Sequence, residues 1–162
     1  DPVSTGDAIH APGGSGNSTA ISGRHDQRNE RGVQMTPNHE LFRLIYQLAE
    51  AKAPTFDFLP EAGTKYPFIY IGENTAQEAQ NNDLWGTVGQ TVHIYATRQQ
   101  RAILDDISAY LETLVKNISG KWEYNLNHTT TDKQIIPDNT DVQPLLHVVL
   151  DFSFTYTKKG EK

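Results

Sequence analysis

Residues 85–115 change from the periodicity of a strand to that of a helix, and this change limits the folds that the chain can adopt. Over residues 88–97 largely apolar positions alternate with more polar ones, as in a half-buried strand. Residues 97–100, TRQQ, match the S/T-x-x-E/Q capping box that begins many helices. Over residues 103–115 apolar residues recur every three to four positions, as in an amphipathic helix, and Gly120 suits the end of that helix. This predicts a strand that leads directly into a helix, which packs back on its own sheet.

Weaker patterns on either side of this segment complete the predicted fold. Thr36 and Pro37 suit the N-cap and first turn of a helix that runs to about Ala51. Short strands are predicted over residues 66–72 and 122–127, and the longest strand is predicted last, over residues 146–157. The order helix, strand, strand, helix, strand, strand predicts an α+β fold, in which two helices pack on one face of a mainly antiparallel four-stranded sheet.

Two polar stretches separate the predicted strands. Residues 73–83, ENTAQEAQNND, contain three acids and no base, which is typical of a long, mobile surface loop. Residues 128–141, HTTTDKQIIPDNTD, form a second polar excursion between the last two strands, with a turn after Pro137. Both stretches are predicted to lie on the surface, where they are available for contacts with a partner.

Residues 1–34 differ in composition from the rest of the chain. They contain no Phe, Tyr, Trp or Leu, and they hold six of the twelve glycines. Such a segment cannot bury enough apolar surface to offset the entropy that it loses on ordering. We therefore predict a flexible arm or vector-derived leader over residues 1–34 and one α+β domain over residues 35–162. Met35, the only methionine, is interpreted as a translation start.

The sequence offers little catalytic or ligand-binding chemistry. There is no cysteine, and neither a serine-hydrolase motif nor a phosphate-binding loop is present. His93, His128 and His147 lie on or beside predicted strands and are the candidates for a metal site, but they lack the ligand spacing of metal motifs. Two of the three have polar neighbours in their strands, which favours a solvated face over a metal site. We therefore predict no catalytic residue, no cofactor and no bound metal.

Charge and hydropathy narrow the class of partner. The net charge is −6, whereas proteins that grip nucleic-acid phosphates carry clustered Lys and Arg. This balance still permits a protein through which DNA passes without specific binding. No apolar run approaches the roughly 20 residues that span a bilayer, so no membrane partner is predicted.

Two sequence blocks resemble one protein family. The first is YPFIYIGE at residues 66–73, followed by the acidic and polar stretch, and the second is GQTVHIY at residues 89–95, followed at once by a helix. Together with the length and element order of residues 35–162, they resemble the tail-completion, or tail-terminator, proteins of bacteriophages with long non-contractile tails. Residues 1–34 have no counterpart in this resemblance.

The resemblance implies a structural function and no enzymatic activity. A small α+β subunit would close into a hexameric ring, cap the finished tail tube, and offer a surface on which the head connector, or neck, protein docks. Its partners would be further copies of itself, the tail-tube protein and the connector protein, while genomic DNA passes through the ring. The implied location is the head–tail junction of the virion, after assembly in the host cytoplasm.

Within this interpretation, the acidic stretch is a candidate for the channel wall or for contact with the tube. We hypothesise that Glu73, Glu78 and Asp83 line or border the channel, where carboxylates repel DNA phosphates and let the genome slide. An ordinary solvated loop explains the same three residues equally well.

Two alternatives remain open on the sequence alone. A head-completion or neck protein would share the small α+β subunit and the ring, and it would bind portal-side protein rather than tail-tube protein. A small enzyme with an unrecognised site is disfavoured, because no nucleophile, base and orienting group can be combined from the sequence.

Overall fold

The structure of the chain is a computed structural model, and it describes residues 34–79 and 82–160. Side chains are described for all of these residues except 79, 82 and 83. Met35–Lys162 forms one unit. The predicted arm or leader, residues 1–34, lies outside the described residues apart from Gln34.

Two helices and one sheet make up the described part of this unit. The helices are α1 (Pro37–Glu50) and α2 (Arg101–Val115), and a 3-10 turn, Arg98–Gln100, precedes α2. The strands are β1 (Thr55–Phe56), β2 (Phe68–Ala79), β3 (Asn82–Thr97), β4 (Tyr124–Asp138) and β5 (Leu145–Lys158). They form one sheet in the order β1-β2-β3-β5-β4, in which β1 is parallel to β2 and all other neighbours are antiparallel. Neither described helix is long and apolar enough to cross a membrane.

The α+β class is confirmed, but the prediction of a four-stranded, mainly antiparallel sheet is wrong in detail. The sheet has five strands and is mixed. The additional strand is β1, whose two residues pair with Ile69 and Tyr70 of β2. Tyr46 on α1 donates from its hydroxyl to the carbonyl oxygen of Thr55 at 3.1 Å and so helps to hold β1 in place. Two residues are too few to show any periodicity, so this strand leaves no signal in the sequence.

The two polar stretches, predicted as surface loops, belong largely to strands. Residues 73–79 continue β2 and residues 82–83 begin β3, so the described part of the first stretch belongs to two antiparallel strands. β4 likewise continues through residues 128–138 before the chain turns. Side chains at 74–78 are exposed on both faces of the sheet, so they lack the alternation that reveals a half-buried strand. The final strand is also not the longest, because β3 has 16 residues and β5 has 14.

The core lies between the two helices and one face of the sheet, which we call the helix face. Each large apolar side chain buried there stabilises the fold by about 1.5 to 3 kcal/mol. The opposite face of the same strands, which we call the open face, carries the alternate and partly exposed residues of β3 and β5. The buried strand residues of the helix face include Ile69, Ile71, Val88, Val92, Ile94, Ala96, Tyr124, Leu126, Leu146, Val148, Leu150, Phe152, Phe154 and Tyr156.

The predicted capping box at the start of the second helix is confirmed, and it also ties α2 to β2. The side-chain oxygen of Gln100 accepts from the backbone N–H of Thr97 at 3.0 Å, as a capping box requires. The side-chain nitrogen of Gln100 donates to the carbonyl oxygen of Tyr66 at 3.0 Å, just before β2. α2 ends at Val115, earlier than predicted, and Gly120 adopts a φ of +93° in the loop that follows.

A buried glutamate fixes the loop between α2 and β4. Glu40 lies in the first turn of α1 and is fully buried. Its carboxylate accepts from the backbone N–H groups of Lys121 at 3.3 Å, Glu123 at 2.7 Å and Tyr124 at 3.2 Å. Gly120 directly precedes this run of donors, in a conformation that glycine adopts without steric cost. The start of β4 is thereby anchored to α1.

Candidate functional site on the open face of the sheet

A β-bulge in β2 brings a carboxylate onto the open face. Between the pairs Ile71–Val92 and Asn74–Gln90, β2 has two residues and β3 has one. The additional residue turns the side chain of Glu73 to the open face, whereas regular alternation after Ile71 would turn it to the helix face. The position of this carboxylate therefore depends on the bulge.

Gln90 supports the bulge from the helix face. Its side chain is buried, and the amide nitrogen lies 3.1 Å from the carbonyl oxygen of Gly72 and 3.1 Å from that of Glu73. Gly72 leaves room on the other side, because a Cβ atom there would lie 2.9 Å from the imidazole of His93. A polar core side chain and a glycine thus shape this part of the open face.

Three side chains form a continuous hydrogen-bonded series, which we call the Glu–His–His chain. Oε2 of Glu73 lies 3.0 Å from Nε2 of His93, and Nδ1 of His93 lies 2.7 Å from Nε2 of His147. His93 is on β3 and His147 is on β5, where they are diagonal neighbours on adjacent strands. Because the carboxylate of Glu73 can only accept, Nε2 of His93 donates to it. Nδ1 of His93 then accepts from His147 when both rings are neutral.

Aromatic rings flank this chain. Tyr95 stacks on His147 with 4.2 Å between the ring centroids and 13° between the planes. Tyr70 stacks on His93 at 5.3 Å and 19°. Phe68 continues the cluster, stacks on Tyr95 at 5.1 Å, and is buried although it lies outside the main core. These contacts shield both imidazoles from water and restrict the rotation of their rings.

The surroundings favour the neutral form of His147 and the ionised form of Glu73. Burial, and next the nearby His93, lower the pKa of His147 to about 4. The hydrogen bond from His93 is the main cause that lowers the pKa of Glu73. Beside this cluster, burial and then a 2.7 Å hydrogen bond to Asp141 raise the pKa of Tyr66 to about 12. At neutral pH the chain therefore combines a carboxylate with a neutral imidazole.

We expect the stability of the protein to fall in mild acid because of His147. The ordinary pKa of a histidine is 6.5, whereas that of His147 in the fold is about 4, so the unfolded state binds more protons between these values. Stability is therefore complete above about pH 6.5 and falls as the pH is lowered to about 4. Because His147 is only partly buried, we expect a loss of about 1 to 2 kcal/mol, less than the pKa shift alone would give.

Urea unfolding at a series of pH values from about 7.5 to 4 measures this loss. The variant His147→Gln keeps a side-chain N–H for His93 but does not titrate, so its stability is expected to fall less over the same range. Because the pKa of Glu73 is lowered in the fold, protonation of this carboxyl also reduces the stability in acid. Wild type and variant share this loss, so the difference between their curves reports His147. Curves that run parallel in the two proteins would contradict the prediction.

The open face carries further carboxylates beyond the Glu–His–His chain. Asp132 on β4 lies directly opposite Asp151 on β5. The hydroxyl of Thr91 on β3 donates to Asp151. Asp138, at the end of β4, lies close enough to His147 for the two to interact electrostatically. Acidic side chains therefore occur on β2, β4 and β5.

No lysine or arginine lies on the open face of the described strands. Lys133 of β4 turns to the helix face, where its Nζ lies 3.6 Å from a carboxylate oxygen of Glu112 on α2. Lys158, the last residue of β5, pairs with Tyr124, whose side chain belongs to the core. The described strands consequently present carboxylates without Lys or Arg on their open side.

The structure separates the three residues predicted for an acidic channel loop. Glu73 lies in the bulge and faces the open side. Glu78 pairs with Gly86, whose own partner Tyr156 lies on the helix face. Asp83 is part of β3, and its side chain lies outside the described residues. Residues 73–79 and 82–83 of the predicted mobile loop are therefore strand, residues 80–81 lie outside the described residues, and a contribution of the three acids to a channel stays a prediction.

The three histidines considered for a metal site lie on two faces. His93 and His147 meet on the open face, whereas His128 packs from β4 against Phe154 of the core, with ring centroids 5.4 Å apart. The prediction of a solvated strand face is only partly correct, because Tyr95 covers His147. Among the described residues, no group of three or more His, Cys, Asp or Glu side chains is placed to hold a metal ion.

Sequence reasoning missed the joint arrangement of these groups. The available signal lay in the final strand, where His147 and Asp151 alternate with apolar residues and so share one face. Connecting them to His93 requires the knowledge that β3 and β5 are neighbours. Asp132 gave no such signal, because it lies in a stretch predicted as a loop.

No protein-family model matches the chain, and no curated protein matches it. The open face carries carboxylates and no Lys or Arg on its described strands, and the imidazole of His147 is neutral at neutral pH.

Proposed function

We propose that the chain is the structural subunit of a tail-terminator ring, which caps the tail tube of a long-tailed bacteriophage and joins it to the head connector. The observation that carries the proposal is the charge of the open face, which has carboxylates on β2, β4 and β5 and no Lys or Arg on its described strands. In a ring whose helices lie outside, this face lines the channel. A wall of this charge repels DNA phosphates, so the genome slides through without binding.

The unequal faces of the sheet support this orientation. α1 and α2 cover the central part of the helix face with apolar side chains. Beyond the aromatic cluster around the Glu–His–His chain, the open face is mostly polar and partly exposed, which suits the wall of a water-filled channel. A closed ring of identical head-to-tail contacts also ends a stack of rings, because only one of its two sides has to match the tube.

Apolar residues at one end of the sheet supply a surface for a neighbouring ring. Leu84 and Trp85, at the start of β3, are 57% and 53% exposed. α2 follows the other end of β3, so these residues lie at the end of the strand far from that helix. Large exposed apolar side chains are typical of protein contacts. We assign this end of the subunit to stacking between rings.

Light scattering on the full chain, with and without tail-tube protein, tests the proposal. We expect a ring of about six subunits, the number that the family resemblance implies, formed either by the chain alone or on the end of the tube. A monomer that ignores tail-tube protein at every concentration would contradict the proposal. Binding to portal-side protein alone would favour the head-completion alternative.

A further inference from the structure

Two edges of the sheet lack a partner strand in the described part of the chain. β4 is the last strand of the order and pairs only with β5. On the outer side of β2, β1 covers only Ile69 and Tyr70, so no described strand lies beyond residues 71–79. Backbone N–H and C=O groups along such edges are available to pair with another strand.

β4 has few of the features that protect an edge strand in a monomer. Its three charged side chains are Asp132, Lys133 and Asp138, and its one proline, Pro137, stands next to its end. Lys133 turns to the helix face and pairs with Glu112, so it does not guard the edge. Ile135 and Ile136, which point to opposite faces, are 39% and 40% exposed. A long edge with so little charge is suited to pairing with another chain.

The directions of the long strands determine how two copies can join. β2 and β5 run one way, and β3 and β4 run the other way. When neighbouring copies are related by rotation about an axis along the strands, β4 of one copy and β2 of the next run in opposite directions. The junction is then antiparallel, like the other long pairs of the sheet. Because the number of long strands is even, the two edge strands of one copy run in opposite directions, which an antiparallel junction between copies requires.

We propose that β4 of one copy pairs antiparallel with residues 74–79 of β2 in the next copy, so that the sheets join into one barrel. The helices then lie outside and the open faces line the interior. This inference rests on the proposed function, because it supplies the contact that closes the ring. A β-bulge occurs in both edge strands, between Ile71 and Asn74 and between His128 and Thr130, and bulges provide the curvature that closed sheets require.

The register within one copy indicates which residues face each other at the junction. Following the cross-strand pairs through β3 and β5 places Thr75 of β2 level with Thr130 of β4, and Gln77 level with Asn127. All four side chains are exposed and lie on the open face. Strands in a barrel are staggered, so the register between β4 and β2 of the next copy can differ from this one by two residues or a multiple of two. Asp132, two residues beyond Thr130, is therefore also a candidate for the position opposite Thr75 or Gln77.

Disulfide cross-linking tests the proposal directly, because the chain has no cysteine of its own. One cysteine is introduced on β2, as Thr75→Cys or Gln77→Cys, and one on β4, as Asn127→Cys, Thr130→Cys or Asp132→Cys. Each full-length double variant is oxidised in the presence and absence of tail-tube protein and is separated without reductant. The five single variants are the matched controls, and light scattering under reducing conditions checks that each variant still assembles like wild type.

We expect at least one double variant to form a ladder of cross-linked species that ends at the size of the ring. Its cross-linked fraction should be about tenfold larger than that of either single variant, because disulfides form only where Cα atoms approach within about 7 Å. Cross-linking by a single β4 cysteine would indicate that two β4 strands pair with each other, which overturns the proposal. Rings that form without any β2–β4 cross-link would overturn the proposal and leave the function intact. Cross-linked rings that ignore tail-tube protein would uphold the junction and contradict the function.

Discussion

Glu40→Ala is expected to lower the free energy of unfolding by about 3 to 4 kcal/mol, because a buried backbone donor without an acceptor costs about 1 to 3 kcal/mol. The substitution removes the acceptor of three backbone N–H groups, those of Lys121, Glu123 and Tyr124. The donors of Lys121 and Glu123 are only part-buried, so water reaches them and the loss stays below the sum of three such costs. Urea unfolding monitored by circular dichroism measures it.

Two variants of glutamate on the same helix serve as controls for this prediction. Glu50→Ala, at the exposed end of α1, removes the same atoms and is expected to change stability by less than about 0.5 kcal/mol. Glu40→Gln keeps one acceptor oxygen and the shape of the side chain, so it is expected to cost about 1 to 2 kcal/mol. Equal losses for Glu40→Ala and Glu50→Ala would refute the role of Glu40 as an anchor.

Gly120→Ala is expected to cost at least about 3 kcal/mol, because overpacking a tight site adds about 1 to 3 kcal/mol to the strain of the backbone. A Cβ atom on Gly120 would lie 1.9 Å from the carbonyl oxygen of Tyr124 and 3.1 Å from Oε2 of Glu40. The carbonyl belongs to the backbone and cannot rotate away as a side-chain tip can. The loop therefore has to shift, which weakens its hydrogen bonds to Glu40.

Gly63→Ala is the matched control for Gly120→Ala, because the two glycines have almost the same φ. Gly63 has a φ of +95° and no atom within 4 Å of a built Cβ. Its substitution carries only the backbone strain of a positive φ, about 1 to 2 kcal/mol. The difference between the two losses in urea unfolding therefore measures the clash with Tyr124. If both variants lose the same free energy, the close approach at Gly120 has no energetic consequence.

The parts of the fold that the sequence predicts are those with one covered side. β3 and β5 alternate regularly because α1 and α2 cover one face of the sheet, and the helices carry apolar stripes for the same reason. Residues 74–78 lack this signal because they are exposed on both faces. β4 beyond His128 lacks it as well, since most of its residues are exposed. In both segments polar composition predicted a loop where backbone pairing forms a strand.

The candidate site depends on strand order and register, which the sequence does not reveal. His93 and His147 are 54 residues apart and meet only because β3 and β5 are neighbours. Glu73 joins them only because one additional residue in β2 reverses the alternation. The burial of Glu40 likewise depends on donors more than 80 residues away. The sequence predicted that Glu73, Glu78 and Asp83 lie together in one loop at a channel. The structure instead places Glu73 and Glu78 on opposite faces of β2 and Asp83 on β3.

The bulge in β2 also determines which changes the gene for this protein can accept. Because β2 has one residue more than β3 at this point, deletion of Glu73 would place Gly72 opposite Thr91 and leave the pairs on either side unchanged. An in-frame loss of a single codon would therefore remove the carboxylate and preserve the hairpin. Glu73, the partner of His93, is thus an inserted residue that the strand pairs on either side do not require.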